Sequence, residues 1–237
     1  MLSLESLKTL ATKWQTHPVN VSREYVQHVF LSCLYRLPES DALAFKGGTA
    51  LRLLYGSPRF SEDLDFTGGL KIFHLQKLLK RAGELVREEA LPLETLESKP
   101  TSGGCLALYS CQIHGDRVQL ELNVSLRSKA RTEPVLVATP LYPAYQCLSL
   151  PAGELVKEKI EALFSRKKAR DFFDLYFVIR QRLGMEAVIP HKKKLIDVVK
   201  HLDAGTLQRE LKIFLPVSHH KTIANLPQAL SMELNRL

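Results

Sequence analysis

Residues 43–66 constrain the fold more tightly than any other stretch. A short apolar run from Leu43 to Phe45 meets a glycine pair, Gly47-Gly48. Helix-forming residues follow from Thr49 to Tyr55, and Gly56-Ser57-Pro58 breaks that helix. From Arg59 to Phe66 the residues then alternate as in a strand. The order strand, glycine turn, helix, strand commits the chain to a sheet with helices packed on it, the α/β (α+β) class. Alternation along 59–66 places Asp63 and Asp65 on one face of the second strand, with Leu64 and Phe66 on the core side.

The flanking segments extend this plan. Leu4, Leu7, Leu10, Ala11 and Trp14 recur at helical spacing behind Ser3, a plausible N-cap. A second helical stripe runs from Val26 to Leu37 and is stopped by Pro38. Ile72, Leu75, Leu78, Leu79, Ala82, Leu85 and Val86 predict a connecting helix that reaches about Ala90. Strands are predicted over 104–114 and 117–127, joined at His114-Gly115-Asp116, with a further extended piece over 135–139. In the second of these, Val118, Leu120, Leu122, Val124 and Leu126 line one face, so Glu121 stands in the middle of the polar face. Beyond Pro151 the pattern is helical: 154–164, 168–183, 192–202, 207–215 and 226–237. A boundary near residue 150 follows, with a catalytic part over 1–150 and a helical part over 151–237.

The hydrophobic fraction of 45% and charged fraction of 24% are those of a folded globular protein. No apolar run is long enough to cross a bilayer, and the first residues lack the order of a secretory signal, so no membrane association and a cytoplasmic location are expected. Cys33, Cys105, Cys111 and Cys147 have no zinc-site spacing and are expected as buried free thiols. His219-His220 lacks a third ligand, and Phe172, Phe173, Tyr176 and Phe177 follow a core-type helical stripe. Residues 157–221 carry 15 Lys and Arg against 8 Asp and Glu, most of the net charge of +8. That bias favours a polyanionic partner, although a single run such as Lys192-Lys193-Lys194 is commonly a solvated helix face.

Three groups of residues carry possible chemistry. Gly47-Gly48 ahead of a helix lets backbone N–H groups approach a phosphate, and Thr49 adds a hydroxyl, though a glycine pair alone is commonly a simple turn. Asp63 and Asp65 project from one strand face, where two like charges repel unless a hard cation such as Mg²⁺ resolves them. Glu121, on a polar strand face, is a third carboxylate suited either to ligate metal or to take the proton of an attacking hydroxyl.

In this order the motifs resemble the DNA polymerase β-type nucleotidyltransferase superfamily. More narrowly, Lys46-Gly47-Gly48-Thr49-Ala50-Leu51 and Arg59-Phe60-Ser61-Glu62-Asp63-Leu64-Asp65-Phe66 are similar to the AbiEii/AbiGii abortive-infection toxin family, to which the MenT toxins also belong. Lys159-Ile160-Glu161-Ala162-Leu163 and Arg170-Asp171-Phe172-Phe173-Asp174-Leu175 resemble that family's downstream motif. The resemblance implies a nucleotidyltransferase fold with a mixed sheet flanked by helices, and a C-terminal helical region that completes the active-site cleft. It implies that Gly47, Gly48 and Thr49 cradle a triphosphate, Asp63 and Asp65 hold Mg²⁺, and Lys159 contacts nucleotide phosphates. The resemblance also implies one essential downstream acid, Asp174 in preference to Asp171. Arg59 and Ser61 support the site, with Arg59 a phosphate contact. Taken without the motif, Lys159 is a solvated helix residue and Asp174 pairs with Arg170 four positions earlier.

The expected reaction is transfer of a nucleoside monophosphate from an NTP to an acceptor with release of pyrophosphate. The resemblance implies the toxin of a bacterial toxin–antitoxin or phage-defence pair, with a cognate antitoxin as partner. A tRNA or other RNA is the favoured acceptor, a protein or small-molecule antibiotic the alternative. A non-catalytic nucleotide- or RNA-binding module with the same fold is a reading of another class, disfavoured by the presence of both Asp63 and Asp65.

Overall fold

The computed structural model describes residues 1–127 and 130–237. It comprises two compact units: Met1–Gly56 with Phe60–Leu150, and Ser57–Arg59 with Pro151–Leu237.

The first unit opens with helices α1 (Leu4–Lys13) and α2 (Pro18–Tyr35). Ser3 caps α1 by accepting from the Ser6 N–H, as expected from the sequence. α2 starts eight residues before the apolar stripe that predicted it. Pro18 occupies the first turn, where its missing N–H costs nothing, and the helix is then buried along most of its length.

The sheet follows as β1 (Leu43–Lys46), β2 (Asp63–Gly68), β3 (Leu93–Thr101), β4 (Gly104–Ile113), β5 (Asp116–Ser125), β6 (Glu133–Val137) and β7 (Tyr145–Ser149). Helix α3 (Gly47–Tyr55) links β1 to β2, and α4 (Ile72–Glu88) links β2 to β3. The order across the sheet is β3-β4-β5-β2-β1-β7-β6. β2 runs antiparallel to β1 and parallel to β5, while β7 runs parallel to β1, so the sheet is mixed. Leu43, Ala44, Phe45, Leu64 and Phe66 are fully buried, as are Leu122 on β5 and Leu75 and Ala82 on α4. Burial of this apolar face is the main force holding helices to sheet.

Three differences from the sequence expectation have local causes. β2 begins at Asp63 rather than Arg59, because Gly56, in the left-handed region at φ 75°, ends α3 and residues 57–59 belong to the second unit. β3 has no counterpart in the expectation: only Leu93 of its residues is buried, and it contains Pro100, which an edge strand accommodates. β7 likewise has no counterpart in the expectation, which stops its extended pieces at residue 139. Its register is set by distant partners, with Phe45 opposite Ser149, whose Oγ donates to the Phe45 carbonyl at 3.1 Å.

The second unit is helical: α5 (Ala152–Arg166), α6 (Ala169–Arg180), α7 (Met185–Val188), α8 (Lys192–Lys200), α9 (Ala204–Leu211), α10 (His220–Ala224) and α11 (Leu226–Asn235). Phe172, Phe173 and Phe177 of α6 are buried, in keeping with a core stripe. All four cysteines are free and buried. No described helix is long and apolar enough to cross a membrane.

Candidate active site

In the first unit, Lys46, Gly47 and Gly48 lie where β1 passes directly into α3. Gly47 has φ +85°, a conformation that L side chains rarely adopt, and a Cβ there would collide with the Asp65 carboxylate. Glycine therefore does two things at this position: it permits the turn and it leaves room for Asp65. The first turn of α3 has no side-chain cap, so its backbone donors are available to an anion. Thr49 is buried and its hydroxyl donates to the Asp63 carbonyl, tying the start of α3 to the start of β2. The hydroxyl proton expected at a triphosphate is thus used within the protein.

Asp63 and Asp65 are both half-buried on one face of β2, alternating with the fully buried Leu64 and Phe66. Lys46 stands opposite Asp65 across the antiparallel pair. On the other side, Asp63 is level with Glu121 and Asp65 with Asn123 across the parallel pair. The sheet therefore assembles Lys46, Asp63, Asp65, Glu121 and Asn123 from three neighbouring strands. Ser61, half-buried just ahead of β2, is held through its carbonyl, which accepts from the Gln27 side chain at 2.9 Å.

The three acids do not form one ligand set. Among the described residues no three His, Cys, Asp or Glu side chains group closely enough to hold a metal ion. Glu121 Oε1 instead accepts from the Asn123 amide at 3.0 Å. Two carboxylates on one strand face still suit Mg²⁺, which is commonly held by one or two protein carboxylates and completes its shell with water and substrate phosphates. Gly47, by leaving room for the Asp65 carboxylate, lets that donor sit against the start of α3.

In the second unit, Arg59 and Asp174 form a buried two-pronged ion pair, Nε to Oδ1 at 2.8 Å and Nη2 to Oδ2 at 2.9 Å. Lys159, on α5, reaches the same carboxylate, Nζ to Oδ2 at 2.8 Å. Burial alone raises the carboxyl pKa of Asp174, but the charges of Arg59 and Lys159 and their hydrogen bonds outweigh it and hold the group at about 2. Asp174 thus pairs with these two residues and not with Arg170. Arg59, expected as a phosphate contact, is 4% exposed with its guanidinium committed to Asp174. Asp171 serves the helix instead, receiving Arg166 and the Lys168 N–H and so capping α6.

Sequence reasoning did not single out Asn123 or Lys46 as neighbours of the carboxylates. The alternation of β5 held the signal for Asn123, two residues from Glu121 on the same face.

Comparison with known proteins places the fold and the family. Among curated proteins no sequence matches the chain. Solved structures do: the nucleotidyltransferase toxin MenT4 of Mycobacterium tuberculosis is similar with a TM-score of 0.71 at 14% identity, covering 100% of this chain and 91% of that one. JHP933 of Helicobacter pylori is similar with a TM-score of 0.63 at 24% identity, covering 93% and 92%. At these identities the likeness establishes the fold. The model of the AbiEii nucleotidyltransferase toxins of type IV toxin–antitoxin systems matches residues 29–226, a span that holds the glycine turn, both strand aspartates, Lys159 and Asp174. The chain belongs to that family and is a nucleotidyltransferase.

Proposed function

We propose that the protein transfers a nucleoside monophosphate from an NTP to the 3′ end of a tRNA, as the toxin of a two-component defence pair with a cognate antitoxin, acting in the cytoplasm. The observation that carries this reading is the pairing of Asp63 and Asp65 on one strand face, level with Glu121 and Asn123, beside a glycine turn shaped around Asp65.

Asp63 and Asp65 would hold Mg²⁺, which neutralises charge on the triphosphate and on the departing pyrophosphate. The backbone at Gly47 and Gly48 takes the phosphates, and Thr49 keeps Asp63 in place through its carbonyl. Glu121 takes the proton of the acceptor hydroxyl as its oxygen bonds to the α-phosphorus and the bond to pyrophosphate breaks. In the helical unit the buried Asp174 carboxylate positions the Lys159 ammonium and is itself held by Arg59. Ser61 supports the strand that bears the aspartates. The basic residues of 157–221 favour RNA over a neutral acceptor.

The test is incubation of the purified protein with each labelled NTP, Mg²⁺ and total tRNA. Label is expected on RNA with at least one NTP, and its absence with all four overturns the tRNA assignment. Asp63→Ala and Asp65→Ala are each expected to lower transfer at least about 10²-fold and to relieve growth inhibition on expression. Undiminished toxicity in both variants would remove the enzymatic basis of the toxin.

A further inference from the structure

A cavity of about 240 Å³ opens beside Asp65, lined among others by Lys46, Asn123, Ser125, Thr101 and Arg127. We propose that it is the acceptor subsite, and that it receives the 3′-terminal ribose and adjoining phosphate of an RNA strand, with Arg127 as the phosphate contact. The inference rests on the nucleotidyl-transfer reading above.

Sheet order gives the first reason. In-line displacement at the α-phosphorus requires the attacking oxygen and the leaving pyrophosphate to lie on opposite sides of it. The glycine turn that takes the phosphates follows β1, and β1 and β5 flank β2 on opposite sides. With pyrophosphate at Gly47 and Gly48, the attacking hydroxyl comes from the side of β5. On that side lie Glu121, the proposed base, and the part of the cavity lined by Asn123, Ser125 and Arg127.

The lining gives the second. Glu121, Asn123, Ser125 and Arg127 follow one another at every second position, so a row of polar groups leads away from the carboxylates. Arg127, two residues past the end of β5, stands four residues beyond the level of Asp65. The Arg127 side chain lies over the β3–β4 turn, since a Cβ on Gly103 would strike its Nε. Hydroxyls and an amide nearest the carboxylates, with a guanidinium at the far end, match a sugar followed by a phosphate. A polycationic aminoglycoside meets Lys46 and Arg127 here and is disfavoured by charge, and a neutral protein hydroxyl has no use for Arg127.

The experiment measures transfer from NTP to deacylated tRNA by wild type and by Arg127→Ala and Gly103→Ala, alongside equilibrium binding of the NTP with Mg²⁺. Gly103→Ala keeps the arginine but displaces its guanidinium, which is the flexible end of a side chain and can move. Both variants are expected to raise the KM for tRNA about tenfold, as for loss of a charged hydrogen bond, with kcat and NTP affinity within about twofold of wild type. For Arg127→Ala the slope of log(kcat/KM) against log salt should fall by about 0.7 to 0.9, the signature of one lost phosphate contact. Unchanged KM and salt slope in Arg127→Ala, in a protein that still labels tRNA, overturn the subsite. A weakened NTP affinity with unchanged tRNA KM also overturns it and assigns the cavity to the nucleotide. Wild type that labels no RNA fails the underlying reading instead, so the two failures are distinguishable.

Discussion

Asp174→Asn removes one charge and almost no volume from a site where three charged side chains meet. Asp174 is 1% exposed, Arg59 4% and Lys159 12%, so the two cations left behind have little water to turn to. The asparagine also turns an NH₂ group toward one of its former donors. Breaking a buried ion pair in this one-sided way costs about 3–5 kcal/mol. Linkage gives a second and independent magnitude. The carboxyl is held at about 2 in the folded state against an ordinary value of 3.8, a difference worth about 2 kcal/mol. Because the folded pKa is depressed, that stability is present above pH 3.8 and is lost as pH falls through about 2. The assay is urea unfolding followed by circular dichroism, at pH 7 and at steps down to pH 2. The variant is expected to lose about 3–5 kcal/mol at pH 7 and to show a shallower decline below pH 4 than wild type. A loss under about 1 kcal/mol at pH 7, with the acid limb unchanged, would refute the claim that this carboxylate holds Arg59 and Lys159 in place.

Two further outcomes follow from single positions. Gly47→Ala must adopt φ +85° and meet the Asp65 carboxylate. It is expected to cost about 1–2 kcal/mol from backbone conformation alone, lowering Tm by a few degrees, and to lower transfer at least tenfold; a variant as stable and active as wild type contradicts the tight approach. His28 is buried with Nδ1 2.9 Å from the Tyr145 hydroxyl, and burial, then the charge of Arg52, lowers its pKa to about 3. The unfolded chain therefore binds a proton that the folded one refuses between pH 6.5 and about 3, a loss approaching about 5 kcal/mol at the acid end. His28→Gln should flatten the fall in urea midpoint across that range, and an identical fall in both proteins would rule out His28 as its source.

Much of the first unit was legible because its determinants are local. A glycine pair between an apolar strand and a helix, two aspartates one residue apart, and a strict alternation around Glu121 each fix geometry within a few residues, where backbone stereochemistry alone is decisive. The expectation faltered where that local signal was weak. β3 is almost wholly exposed and so has no apolar rhythm to detect, and β7 is short and set among prolines.

By itself, then, the sequence determined the strand–turn–helix–strand unit, the shared face of Asp63 and Asp65, and the helical character beyond residue 150. Tertiary structure alone decided which residues face them. Glu121 stands level with Asp63 through a strand pairing between segments 58 positions apart. Asp174 takes Arg59, 115 positions away, in place of its helical neighbour Arg170. Local rules offered Asp174 an exposed pair worth a few tenths of a kcal/mol. Burial made a far stronger demand, since a carboxylate removed from water needs cations and hydrogen bonds close at hand. Only the folded chain brings them there.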